Sequence, residues 1–430
     1  MWLTSARHKL RIAGTGLTIA AALTMAACGN PASTPSPGTP EQITFSYLWS
    51  GAEADAIEQI IADYNASQTD VVVKGISSPD FQKQLTSLSA AVGTFDISDN
   101  FGNAVGSWAS KGIIAPLDDL LSANGVNPAD FSPAAMAQMS FNGKTYSMPI
   151  AVHTFQLLYN KTLLSEAGVA VPTTMDELAA AIKALTKQNA DGTITQLGLG
   201  DPSVDTTLTT LGYVFGGTWD KDGAPSPTEP GNIQALQWYL DNVVTPVGAS
   251  NLAAFKSGVG EYMSAQDPFY TGKYAMVIDG EWQAVNIPAT APNLDWGVTA
   301  IPYATSNLAN TTQLTASTLF IPANSQHKEA AAKFLAYLVS DKGATDFAKA
   351  LGNLPAKLTV DASDFSGIAQ FSTWLDSLQS KNVFALGSAP YSAEYSTDLG
   401  AAFSDLLLGT TTPQAAMEKV AANSVNYATK

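Results

Sequence analysis

Apolar residues recur along this chain with two periods. Ile43-Thr-Phe-Ser-Tyr-Leu-Trp49 is rich in β-branched and aromatic residues, which predicts a strand. Ser50-Gly-Ala-Glu53 follows with the spacing of a capping box. Ile57, Ile60, Ile61 and Tyr64 then repeat at i, i+3, i+4 and i+7, the face of an amphipathic helix. Asp70-Val-Val-Val-Lys74 is a second short strand. The body therefore opens β-α-β, the start of a sheet with helices packed on its faces. A short strand is expected at Phe95-Asp-Ile-Ser98, and helices over 104–111 and 117–123. Tyr146 to Tyr159 is one long extended run. Thr174, boxed by Glu177, starts a helix with Met175, Leu178, Ile182 and Leu185 on one face. Farther on, the pattern predicts a helix over 233–243, strands over 274–278, 296–301 and 317–321, and an amphipathic helix over 325–340. Beyond residue 360 the tail is mainly helical, broken at Pro390 and Gly409.

The first 27 residues follow a different logic. Arg7, Lys9 and Arg11 precede an apolar stretch from Ile12 to Ala27, too short and glycine-interrupted for a membrane span of about 20 residues. These are zones of a secretory signal. Leu23-Thr-Met-Ala-Ala-Cys28 closes the stretch and resembles the bacterial lipobox, whose cysteine is lipidated and becomes the mature N-terminus; Met25 departs from the usual leucine. Cys28 is the chain's single cysteine, so no intrachain disulfide can form. Residues 28–41 contain four prolines and no large apolar side chain, a semi-extended linker. No later apolar stretch approaches spanning length.

Charge narrows the choice of partner. Charged residues make up 13% of the 430, yet the net charge is −16. Without the leader, 18 basic residues face 37 acidic ones. Such a surface repels phosphate backbones, which argues against nucleic acid. No arginine occurs after Arg11, which favours a neutral ligand over a phosphorylated one. His8, His153 and His327 are the only histidines, too few for an ordinary zinc site, and no D-x-[DN]-x-[DN]-G calcium loop occurs. No metal or cofactor is expected.

The order of several motifs carries a family resemblance. Gly143-Lys-Thr-Tyr-Ser-Met-Pro149 resembles a G-K-x-Y-x-x-P strand. Leu158-Tyr-Asn-Lys161, Ala167-Gly168 and Pro172-Thr-Thr-Met-Asp-Glu-Leu178 resemble Y-N-K…A-G…P-x-T-W-x-E-L, with Met175 in place of tryptophan. Phe215-Gly-Gly with Asp220-Lys-Asp-Gly223, and Phe269-Tyr-Thr-Gly-Lys-Tyr-Ala-Met276 with Gly280-Glu-Trp282, follow in register. Trp296-Gly-Val298 to Pro302 and Ile321-Pro322 complete the set. Together they resemble the extracellular solute-binding proteins, family 1, of ABC sugar importers (the maltose-binding-protein-like group), over nearly all of residues 41–430.

The resemblance implies an α/β, two-lobed periplasmic-binding-protein-like (type II) fold with three interlobe crossovers and a helical C-terminal tail. Lobe one would take residues 41–149 and 302–352, and lobe two 153–299 and 356–430. Hinges would lie near 150–152, 300–301 and 353–355. The implied protein is a monomeric lipoprotein outside the cytoplasmic membrane, tethered through Cys28. It would capture a sugar between its lobes, close by hinge rotation and deliver the sugar to ABC permease subunits.

Sugar rings need aromatic platforms and planar polar groups at the rim. By position in the family pattern, Trp282 supplies stacking and Glu281 a hydroxyl acceptor. Tyr262, Tyr391 and Tyr395 are candidate aromatic contacts, and Asn100, Asn103 and Asp99 candidate polar contacts. His153, just past the first crossover, is a candidate hydrogen-bonding partner, and Asp201 and Asp205 flank a cleft-adjacent loop. Trp49 ends the first strand, at the edge of an α/β sheet where ligands collect. Catalytic patterns are missing. Gly143-Lys-Thr lacks the glycine of a P-loop at position 138, and neither G-x-S-x-G nor H-E-x-x-H occurs. The chain is therefore expected not to be an enzyme. A glycoside hydrolase, which needs only two carboxylates, and a carbohydrate-binding receptor without a transport role are the alternatives.

Overall fold

The computed structural model describes residues 39–427. The leader and Cys28 lie outside the described residues. The strand Glu41–Tyr47 runs parallel to Val71–Ser77 on one side and to Ile97–Phe101 on the other. The helix Gly51–Ser67 connects the first pair and buries Ile57, Ile60, Ile61 and Tyr64.

Thr312–Phe320 then joins the sheet antiparallel to Ile97–Phe101, followed by the long strand Ser147–Asn160. Every residue of that strand is buried except half-buried Tyr159. Its central position, covered on both faces, explains why its sequence shows no polar alternation. Along its first half it pairs with Thr312–Phe320 and with Leu354–Pro355. From Phe155 onward it pairs with Tyr274–Gly280 and, from Leu157, with Trp296–Thr299. Ile194–Gly200 extends that second group in parallel to Tyr274–Gly280. One continuous strand thus serves two sets of partners, and the exchange falls at Thr154–Phe155.

Several expected elements shift at their ends. The strand expected from Ser317 begins at Thr312. The helix expected over 325–340 is Lys328–Leu338, with His327 at its N-cap. The helix expected over 233–243 is Pro230–Tyr239 and finishes in a π turn, Leu240–Val244. The tail supplies the helices Ser372–Ser377, Ser392–Leu407 and Pro413–Ser424. The first half of the body also meets the tail directly. Gly106 donates its amide to Ser388 Oγ, and a Cβ at Gly106 would sit 2.7 Å from the Ala389 nitrogen, so only glycine fits that approach.

The two expected capping boxes part company. At Thr174 the box is complete: the hydroxyl accepts from the Glu177 amide, and the Glu177 carboxylate accepts from the amides of Thr173 and Thr174. Ser50 occupies an N-cap but its side chain makes no cap hydrogen bond. The Glu53 carboxylate instead lies within electrostatic reach of His153 and Asp99. Thr174→Ala is therefore expected to cost about 1 kcal/mol of stability, and Ser50→Ala close to nothing. Thermal unfolding of the two variants against the parent checks the contrast.

Candidate ligand cleft

The exchange of strand partners creates a local problem. Where a strand leaves one ladder and enters another, backbone N–H and C=O groups lose their regular partners, and leaving them buried and unpaired is costly. Side chains fill the gap. Thr312 Oγ1 accepts from the Phe155 amide at 2.9 Å and donates to the Phe155 carbonyl at 2.8 Å. Glu281 Oε2 accepts from the Thr154 amide at 3.3 Å. Thr154 Oγ1 lies 2.8 Å from Ser377 Oγ, tying in the tail.

Glu281 is fully buried, and its other oxygen lies 2.7 Å from His153 Nδ1. The carboxylate makes Nδ1–H the donor. His153 Nε2 then stands 2.9 Å from Ser317 Oγ on the neighbouring strand. His153 and Glu281 are thus brought together, each satisfied by the other. Glu281 is enclosed rather than turned toward open space, and its oxygens face His153 and the backbone.

Ser317, His153 and Glu281 stand in line with the spacings of a hydrolytic triad. Their setting is not that of one. Ser317 is mid-strand, registered against Phe101 on one side and Ala151 on the other. Backbone amides in such a position are committed to ladders, whereas acyl transfer needs donors grouped around a developing oxyanion.

Trp282 follows Glu281 and is half-buried. Its ring meets His153 edge-on at 5.6 Å and Phe155 at 6.0 Å. Its indole N–H donates to the Tyr262 hydroxyl at 2.6 Å. That hydroxyl donates in turn to Asp279, 2.8 Å from Oδ1. Gln283 Nε2 donates to Asp279 Oδ2 at 2.7 Å, and the Tyr270 hydroxyl donates to Gln283 Oε1 at 2.6 Å. Tyr262 is 41% exposed as a residue while its hydroxyl is enclosed. Burial, reinforced by Asp279, holds that phenol well above its usual range, so it stays a donor. Burial also pushes the Asp279 carboxyl up to about 7, against the opposing pull of its hydrogen bonds from Gln283, Gly280 and Tyr262. Trp282 and Tyr262 are therefore an aromatic pair locked at the polar end and open at the ring.

Beside Phe155 lies a cavity of about 330 Å³. Its walls come from distant parts of the chain: Phe101, Asn103 and Gln138 on one side, Asp205, Thr206 and Thr209 on another, and Ser396, Leu399 and Phe403 from the tail. Gln313, Thr315 and Ala316 of the strand Thr312–Phe320 form part of the lining. Gln138 is 3% exposed, donates to the Leu386 carbonyl, and keeps Oε1 without a partner. No lysine lines the cavity.

The other expected contacts sit as follows. Asn103 lines the cavity. Asn100 is buried beneath it, donating to Gln84 and accepting from the Phe101 amide. Asp99 accepts from the Leu48 amide at 2.8 Å, and burial pushes its carboxyl up to about 7. Trp49 is half-buried and packs edge-on against Phe347 at 5.1 Å. Tyr395 is 0% exposed, its hydroxyl donating to the Trp219 carbonyl, so it belongs to the core. Tyr391 stacks on Tyr427. Their helix turns Ser396, Leu399 and Phe403 to the cavity instead. Asp201 is tied to Tyr239 and Lys256. Phe155, Phe101, Thr209, Gln313 and Ser396 were not anticipated. The spacing of 396, 399 and 403 on one helical face was a readable signal; for the others, only tertiary placement distinguishes them.

Among the described residues no group of three His, Cys, Asp or Glu side chains is placed to hold a metal ion, and no helix is long and apolar enough to cross a membrane.

A family model described as bacterial extracellular solute-binding protein matches residues 50–345. A binding protein of Brucella abortus is 30% identical over 288 residues, 64% of this chain and 65% of that relative, so the chain matches slightly less than two thirds of its length. A galactooligosaccharide-binding protein of Bacillus subtilis is 25% identical over 374 residues, 81% of this chain and 83% of that one. Among solved structures, CpMnBP1 with mannotriose bound superposes with a TM-score of 0.76 at 26% identity, covering 89% of this chain and 100% of that one. The neighbours share the two-lobed periplasmic-binding-protein-like α/β fold.

Two outcomes follow from this geometry. A Cβ at Gly280 would fall 2.2 Å from the Trp282 ring. Gly280→Ala must therefore push the ring out of place, and we expect a red shift and broadening of tryptophan emission relative to the parent. The second concerns pH. The folded pKa of Asp99, about 7, exceeds its unfolded value of about 3.9. The native state holds the extra proton, so this group's contribution to stability is greatest below about pH 4 and is lost as pH rises toward 7. Asp99→Asn, which can still accept from Leu48, should flatten the fall in Tm between pH 4 and 8; an unchanged Tm profile would refute the assignment.

Proposed function

The chain belongs to the bacterial extracellular solute-binding protein family, and on that premise we propose that it captures a neutral sugar in the cleft and hands it to an ABC permease. The observation that carries this reading is the anchored pair of Trp282 and Tyr262, whose polar ends are engaged, with Trp282 meeting Phe155, a residue of the cavity wall, edge-on. A pyranose needs that combination: a flat apolar surface for its C–H face and amide or hydroxyl groups for its rim. Asn103, Thr209, Gln313 and Ser396 are the rim groups in reach of such a ligand. A cavity without lysine, in a body without arginine, gives an anionic solute no partner, and burial raises the carboxyl of Asp205, the acid in its wall. The solved relative with mannotriose bound and the galactooligosaccharide-binding relative support the sugar class.

The proposed mechanism uses the two sets of strand partners as two lobes, residues 41–149 with 302–352 and residues 153–299 with 356–430. The long strand and the segments near 300–301 and 353–355 act as hinges. Ligand held by Trp282 on one lobe and Asn103 on the other favours the closed form by its differential contacts, and the permease reads that form. His153 acts by holding its rings and strands in place, with Trp49 and Asn100 supporting the walls. Tyr391 takes part only if its loop moves on closure. The tether is a lipid on Cys28, with residues 28–41 as spacer, which places the receptor on the outer face of the cell membrane as a monomer.

Calorimetry of the full chain against a panel of neutral mono- and oligosaccharides, amino acids and short peptides tests the reading. Sugar binding without turnover is expected, weakened by on the order of tenfold or more in Trp282→Ala. His153→Ala should weaken it less. Tight binding of an amino acid or peptide with no sugar response would overturn the proposal, and release of shorter sugars would favour a hydrolase.

A further inference from the structure

Phe101 and Phe81 are the most unusual exposed side chains near the cleft. Phe101 is 48% exposed and Phe81 51%, and their rings lie 6.3 Å apart at an interplanar angle of 31°. Single exposed hydrophobic residues are ordinary, but a paired aromatic surface rarely stands open without a partner. Phe101 also lines the cavity. The pair therefore extends the cleft outward rather than lying elsewhere on the surface.

The pair is held by buried polar groups. Asp80 caps the helix Phe81–Leu88 by accepting from the amides of Gln82 and Lys83, which fixes Phe81 at the first helical position. Gln84, 5% exposed, donates to Ser98 Oγ and to the Asp99 carbonyl. Its Oε1 accepts from Asn100 Nδ2 at 2.6 Å, and Asn100 Oδ1 accepts from the Phe101 amide at 2.6 Å. Two buried amides thus bind the helix carrying Phe81 to the strand end carrying Phe101. Orienting two rings in advance reduces the ordering cost of whatever stacks on them.

We propose that Phe81 and Phe101 form an outer subsite for an additional pyranose ring, so that the solute is a neutral oligosaccharide of three or more rings rather than a monosaccharide. The inference rests on the sugar-binding reading above. Trp282 and Phe155 mark the inner end of the path, the 330 Å³ cavity its middle, and Phe101 with Phe81 its outer end. Asn103, which lines the same cavity as Phe101, offers the amide that a ring hydroxyl needs at the edge of the stack. Asn100 is on this account a positioning residue that never touches the sugar.

The test is calorimetry of the full chain with the manno- and malto-oligosaccharide series from one to four rings. In the parent, affinity should rise by on the order of tenfold when the ring that reaches Phe81 is added. Phe81→Ala should erase that increment while leaving the shorter members within about twofold, and Phe81→Trp should retain it. Phe81 is half-exposed, so an unchanged Tm would show that its removal leaves the fold intact. An increment that survives Phe81→Ala, or a loss equal at every length, would overturn the subsite. Failure of the sugar reading itself is distinguishable, since no member of either series would then bind the parent.

Discussion

The structure depends on how one buried strand changes partners without leaving its backbone unpaired. Residues 147–160 pass from one set of neighbours to another, and at Thr154–Phe155, where one ladder gives way to the next, side chains accept from the two backbone amides. Thr312 replaces the missing partner of Phe155 with a hydroxyl that both accepts and donates. Glu281 accepts from the Thr154 amide with one oxygen and turns its second oxygen to His153. A buried carboxylate is tolerated only where its lone pairs are engaged, and here its partners are elements that meet at this one point. Trp282, immediately after Glu281, inherits its position from that fixed point.

The aromatic wall is built on the same rule at the next level. Trp282, Tyr262, Asp279, Gln283 and Tyr270 form a chain of donors and acceptors that ends inside the protein. The polar ends of the rings are therefore spoken for before any ligand arrives, and the apolar faces remain. Such networks stiffen a site, because a broken link leaves a buried group unpaired. Burial that raises Asp279 toward neutrality is a consequence of placing a carboxyl where it anchors an aromatic face.

Much of the fold was legible in the sequence. The opening β-α-β unit, the long extended run before Tyr159 and the Thr174 capping box are local patterns, and each is present. The same reasoning misjudged Ser50 because a capping box is defined by spacing, while the Glu53 carboxylate answers to charges far away in the chain. The site was legible in part for the same reason. Trp282 and Glu281 stood in a recognisable motif, yet the motif could not say that Glu281 faces His153 and the backbone. Tyr395 shares a helix with Ser396, and a step of one residue turns a side chain from the cavity into the core. Phe101 and Phe81 carried no motif, since their pairing rests on Gln84 and Asn100, which only folding brings together.

The anchored indole has one more consequence. Trp219 and Trp374 are enclosed in the core, whereas Trp282 combines a half-open face with an N–H pinned to a phenol. On the proposed reading, a sugar covering that face would change its surroundings and leave those of Trp219 and Trp374 as they are. On that reading the molecule carries an optical reporter of its own at the inner end of the cleft, with no dye, label or engineered residue.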